Sequence, residues 1–267
     1  MAQSEHMHGV VIRVRREGDV MLTLLTPEMG KVNVIAKGAK SLKSPQMPLS
    51  QLFAYGDFEL YRRGEMFWLN TGELIENFRG IGSDLDALNL ASYFCEVASV
   101  VSDAGTPARE LLRLLLNSLH FLEKRRASLE QIKGVFEWRV MAYQGIFPTL
   151  ERCGDCGRQG IDDFSLDVAG GGLLCPSCRR RHETMAQLAQ QRADAAPMVL
   201  LTPAVLHAIR FSLSTPLEKM HAFRLEDAGD EQLFSRAGEQ FLRFHLDADF
   251  PALQMYHQMK RNAMGAK

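Results

Sequence analysis

The chain has no excess of charge of either sign: 31 Lys plus Arg stand against 32 Asp plus Glu in 267 residues, a formal net charge of −1. A single uniform basic field is therefore excluded as its working surface. A long apolar run is also missing. The most apolar stretches, 111–122 and 196–211, carry Arg113, His120, His207 and Arg210 and fall short of the roughly 18 uncharged residues a membrane span needs. No span is expected. Residues Met1 to His8 are polar and lack the basic start and apolar run of a signal peptide, so residence in the cytoplasm is expected, with the five cysteines reduced. Nucleotide-binding loops are absent as well, since Gly38 to Ser44 does not end in Gly-Lys-Ser/Thr and Gly80-Ile-Gly82 lacks a third glycine at the right place. There is no Gly-x-Ser-x-Gly and no His-Glu-x-x-His. Together these absences favour a binding protein over an enzyme.

What is present is ordinary globular composition, 46% apolar and 24% charged, in a length that fits one large domain or two modest ones. Short β-favouring runs at 10–14, 20–25, 31–36, 52–61 and 66–75 are separated by turn chemistry such as Glu17-Gly-Asp19 and Arg62-Arg-Gly-Glu65. Five strands in about 70 residues with no connecting helix predict a small antiparallel barrel; the OB-fold fits, and a small SH3-like barrel fits nearly as well. After Gly80 the apolar period becomes 3.6. Helices are predicted from a Ser83 cap to about Val101, from Pro107 through the Leu111 to Leu122 stripe, from Ser128 to Gln144, and at 203–211, 216–220 and 231–245. The expected class is α+β multidomain: an N-terminal OB-fold β-barrel, 1–80, for nucleic acid; a helical domain in two parts, 81–150 and 183–267; and a four-cysteine zinc-finger module, 151–182, interrupting it.

That module is the most specific feature. Cys153-Gly-Asp-Cys156, then eighteen residues, then Cys175-Pro-Ser-Cys178 has the spacing of two knuckles that complete a tetrahedron of thiolates around one structural zinc ion. Four thiolates close the shell, so no position is left for a catalytic water. A deaminase would place proline before the first cysteine of the second pair and carry an upstream His-x-Glu; here Pro176 follows Cys175 and no His-x-Glu exists. His182 reads as a surface or supporting residue rather than a ligand, and Cys95, on an apolar helix face, reads as core.

Charge is segregated along the chain. Between 8 and 43, seven basic residues (Arg13, Arg15, Arg16, Lys31, Lys37, Lys40, Lys43) face three acids, +4; from 220 to 250, three basics face seven acids, −4. The first group is the candidate nucleic-acid contact, where neutralised phosphates give salt-sensitive affinity. A merely solvated face is the alternative. Phe53, Tyr55, Phe58, Tyr61, Phe67 and Trp68 are candidate stacking residues, most of them needed for the barrel core.

Gly9-Val-Val-Ile-Arg13, Leu22-Thr-Leu-Leu-Thr26 with Gly30-Lys31, Ala36-Lys-Gly-Ala-Lys-Ser41, Glu73-Leu-Ile-Glu-Asn-Phe-Arg79 before Ser83-Asp-Leu85, and Gly145-Ile-Phe-Pro148 before the Cys153 pair together resemble the bacterial RecO family of recombination mediators. The resemblance runs in order over nearly the whole chain, with a shorter first hairpin at 16–19. It implies a non-enzymatic, nucleoid-associated DNA-repair protein of the RecF pathway. Such a protein binds single- and double-stranded DNA, anneals complementary strands, and acts with RecR to help load RecA onto DNA coated by single-strand-binding protein. It also implies a helical-domain pocket for that protein's acidic, apolar C-terminal tail. A basic rim suits such a tail, and Lys124, Arg125, Arg126 and Arg139 are the candidates. The alternative class is a zinc-ribbon and OB scaffold that binds RNA or a multiprotein complex.

Overall fold

A computed structural model describes residues 4–41, 43–64, 66–160, 163–188 and 197–265. The described residues divide into two compact units. One comprises 1–126 and 250–267, the other 127–249.

The first unit is built on a closed five-stranded barrel of β1 (Ser4–Arg15), β2 (Val20–Thr26), β3 (Gly30–Ala36), β4 (Tyr55–Arg63) and β5 (Met66–Glu76). The strand order around the barrel is β1-β2-β3-β5-β4, with β3 and β5 parallel and the other pairs antiparallel. This is the OB-type arrangement. Alternation along each strand sends Val11, Leu22, Leu24, Val32, Val34, Phe58, Leu60, Phe67 and Leu69 into one core. β1 begins earlier than its apolar run, because Ser4 to Val10 pairs with β4 and closes the barrel, while Val10 to Arg15 pairs with β2 across a bulge after Val11.

Three helices complete this unit: α1 (Leu85–Val101), α2 (Arg109–Lys124) and α7 (Pro251–Gly265). Asp84, not Ser83, caps α1, accepting from the backbone N–H groups of Asp86 and Ala87. The Ser83 hydroxyl instead donates to the Gly80 carbonyl in the preceding 3-10 turn. The C-terminal helix α7 packs on α1, where Tyr93 meets Phe250 edge-on at 5.3 Å and Glu96 accepts the Ala252 N–H. At Gly30, φ is +58° and a Cβ would lie 2.1 Å from the Asp103 carbonyl oxygen. Only glycine allows the β2–β3 turn to meet the α1–α2 loop there.

In the second unit α3 (Leu129–Tyr143), α5 (Pro203–Ser214) and α6 (Ala228–Leu246) pack together beside a small sheet. Ser128 and Thr202 cap α3 and α5. The 216–220 segment is only a 3-10 turn, Leu217–Lys219. Lys133 on α3 is buried and paired with Glu137 and Glu239, each at 2.9 Å. The sheet has order β6-β8-β7-β9, from β6 (Thr149–Cys153), β7 (Phe164–Asp167), β8 (Gly172–Leu174) and β9 (Met198–Leu201). α4 (Pro176–Leu188) follows β8, with Pro176 at its first position. Sheet and α4 are absent from the sequence expectation.

Candidate functional site

The four cysteines converge. Cys153 ends β6, Cys156 lies in the turn after it, Cys175 follows β8, and Cys178 stands in the first turn of α4. Each knuckle is shaped by backbone hydrogen bonds: Gly157 N–H to the Cys153 carbonyl at 3.0 Å, and Arg179 N–H to the Cys175 carbonyl at 2.9 Å. All four Sγ atoms lie within 4.8 Å of one another, and Cys156 Sγ stands 3.7 Å from Cys175 Sγ. Four thiolates about 2.3 Å from a tetrahedral ion would be about 3.8 Å apart. The donor set therefore fits a metal ion, held by Cys153, Cys156, Cys175 and Cys178.

The thiols are already primed unequally. Burial pushes Cys153 up, but the N–H groups of Cys156, Cys175 and Asp155 outweigh it and bring the thiol to about 6. Backbone donation from Cys178 lowers Cys175. Desolvation, reinforced by the neighbouring sulfurs, pushes Cys178 up to about 12. A cation supplies what such a cluster lacks, the positive charge that lets the remaining thiols ionise. His182 is not aimed at sulfur; its Nε2 lies 2.8 Å from Asp155 Oδ2, which also accepts from Arg181 at 2.8 Å. These contacts lower the Asp155 carboxyl and tie the first knuckle to α4.

The basic candidates of the barrel do not all do the same thing. Arg13, Arg15 and Lys31 line one cleft of ≈ 280 Å³ on the outer face of β1, β2 and β3. Within it the Lys31 ammonium donates to the Ser99 carbonyl at 2.7 Å. Arg16 reaches Gln51 at 3.4 Å, while Lys37, Lys40 and Lys43 stand exposed in the segment after β3. Among the candidate aromatics Phe53, Phe58 and Phe67 are buried, whereas Tyr55, Tyr61 and Trp68 are half-buried. Arg62 and Arg63, at the end of β4, were missed as candidates. Their signal was a basic pair in the β4–β5 turn, one of the loops with which OB barrels bind.

Lys124 ends α2 and Arg125 and Arg126 follow it in the first unit, whereas Arg139 belongs to α3 in the second. Lys124 pairs with Glu123 at 2.8 Å and Arg125 with Asp84. Arg126 is exposed. Arg139 is half-buried, its guanidinium donates to the Thr215 carbonyl, and desolvation lowers it. Among the described residues no helix is long and apolar enough to cross a membrane.

Comparison with known proteins covers nearly the same span. The family described as "Recombination protein O N terminal" matches residues 1–78, and "Recombination protein O C terminal" matches residues 82–254. A protein of Alkaliphilus metalliredigens named DNA repair protein RecO is 35% identical over 172 residues, 64% of this chain and 70% of its own length. Proteins of the same name from Acetivibrio thermocellus and Clostridium acetobutylicum are each 26% identical. The first aligns over 95% of this chain and 96% of itself, the second over 85% and 86%.

Proposed function

The chain belongs to the RecO family of DNA repair proteins, and on that premise we propose that it is a recombination mediator. It binds single- and double-stranded DNA through the barrel, anneals complementary strands, and with RecR helps load RecA onto strands coated by single-strand-binding protein. It works in the cytoplasm at the nucleoid, and without covalent chemistry: annealing requires that two backbones be held close with their repulsion neutralised, and no bond is made or broken in the protein. The metal is one zinc ion with a structural role, and the end of α2 is the candidate for contact with the tail of the single-strand-binding protein.

The observation that carries the DNA-binding part of this reading is the clustering of Arg13, Arg15 and Lys31 around one outer cleft, with Lys37, Lys40 and Lys43 exposed just past β3. Cations on one face of a small barrel track a phosphate backbone, and each neutralised phosphate steepens the dependence of affinity on log salt by about 0.7 for a single strand. Charge reversal at both Lys37 and Lys40 should weaken binding and flatten that slope by about 1 to 1.5. Titrating a labelled oligonucleotide at several salt concentrations checks this, and an unchanged affinity and slope would remove both lysines from the contact. A strand-annealing assay on the same variants checks the functional step.

A further inference from the structure

We propose that Tyr61 and Trp68 form a base-stacking platform on the outer face of the barrel, which grips single-stranded DNA by its bases beside the cationic groups that hold its phosphates. The proposal rests on the reading of the barrel as the DNA-binding element and adds how it tells a single strand from a duplex.

Strand register sets both rings in one row. Arg15 pairs with Met21, Met21 with Ile35, Ile35 with Trp68, and Trp68 with Tyr61, so one row of side chains crosses five strands. The row alternates with core positions Leu22, Val34, Phe67 and Leu60, so its side chains face out. Met21 is 37% exposed, and Ile35, Trp68 and Tyr61 are half-buried. Single partly exposed apolar residues are ordinary; four side by side on adjacent strands make a strip. At about 4.8 Å per strand it runs about 14 Å, roughly four times the 3.4 Å rise per nucleotide.

Chemistry at the strip's edges selects the occupant. Arg15 closes one end, and the next outward row holds Arg13, Thr23 and Asn33 beside the cleft already described. Trp68 and Tyr61 are stacked, with ring centroids 6.4 Å apart and planes inclined by 21°. The exposed Arg63 guanidinium lies 6.0 Å from the Trp68 ring centre, at the outer limit of a cation–π contact. A guanidinium held that loosely can lift to let a base slide between itself and the indole. On the far side of Tyr61 the outward positions of β1 and β4 are His6, His8, Glu59 and Asp57, with Asp57 in contact with His8. The carboxylates there repel phosphate, so the backbone is confined to the arginine side while bases lie on the rings. An acidic peptide would meet the same cations but has no flat π-face for the platform, and a duplex keeps its bases stacked inside.

The chain carries its own probe, because its two tryptophans are Trp68 and the fully buried Trp138. Adding oligo(dT) to the full-length protein should quench tryptophan emission, and a blunt duplex at equal phosphate concentration should not. Trp68→Leu should abolish the quench and lower oligo(dT) affinity about ten-fold, the scale of one lost stacked base, with duplex affinity changed less than two-fold. Trp138→Phe should keep the quench. Equal quenching by duplex, quenching that survives Trp68→Leu, or oligo(dT) affinity unchanged in Trp68→Leu overturns the platform. If the last result appears while charge reversal at Lys37 and Lys40 still weakens binding, the barrel reading stands and only the platform fails. If neither oligonucleotide binds the wild type, both fail. The wild-type titration needs no substitution, so a poorly folding variant does not shield the proposal.

Discussion

His221 shows how a single residue sets a condition on stability. Its side chain is buried in the second unit while its backbone carbonyl accepts from Gln131 Nε2 at 3.2 Å. Burial, helped by the nearby Arg139 cation, lowers the imidazole from 6.5 to about 4. The folded state thus holds the neutral ring. Stability from this group is complete above about pH 6.5 and is lost as the pH falls toward 4, by up to about 3 kcal/mol, because the unfolded chain takes the proton first. Urea melts followed by far-UV circular dichroism at pH 7.5 and 4.5 should show a smaller pH-dependent loss for His221→Gln than for wild type. Equal losses would assign the acid sensitivity to carboxylates. The cysteines are the opposite case, since four residues in two equally spaced pairs announce themselves in the sequence, whereas a lone buried histidine does not. The choice of cap for α1 lies between these. Ser83 and Asp84 are adjacent and both can cap, and the Gly80 carbonyl, which draws the Ser83 hydroxyl, decides for Asp84.

Between helices, α3 and α6 meet tightly at a residue without a side chain. A Cβ on Gly134 would stand 2.5 Å from a ring carbon of Phe234 and 3.3 Å from the Ser235 Cα. Gly134→Ala should gain about 1 kcal/mol of helix propensity yet suffer about 1–3 kcal/mol of overpacking. Destabilisation by up to about 2 kcal/mol is expected in chemical denaturation, and Phe234→Leu in the same chain should restore part of it. Stabilisation by the alanine would mean that α6 shifts freely. Elements with a strong period were legible in the sequence: the five barrel strands and α1, α2, α3, α5 and α6 follow their apolar spacing. Those missed share a cause. The first half of β1 presents His6 and His8 outward, and its partner β4 lies some 50 residues away, so no local alternation reveals it. β7, β8 and β9 are only three or four residues long. α7 buries Leu253 and Tyr256 but leaves Gln254 and Met255 exposed, too thin a stripe for a 3.6 period to stand out.

At the scale of the molecule the near-zero net charge is the sum of two unlike units. The first holds 18 basic and 15 acidic residues, +3, and the second 13 and 17, −4. A dication bound by four thiolates would add −2 to the second unit. On electrostatic grounds the proposed phosphate binding suits the first unit, and a metal at the cysteine module would serve the second as a clasp joining β6, β8 and α4. Metal removal separates these roles. Treating the protein with a zinc chelator under reducing conditions should raise amide exchange across 149–188, while the barrel strands and α1 keep their protection. Affinity for oligo(dT) and its salt slope should change less than two-fold, because Arg13, Arg15, Lys37 and Lys40 remain in place. Loss of DNA binding with barrel protection intact would contradict the assignment and put part of the DNA contact on the cysteine module, where Arg152, Arg158 and Arg180 are exposed cations outside the Arg181–Asp155 pair. Charge reversal at those three positions would then have to reproduce the loss in the metal-loaded protein.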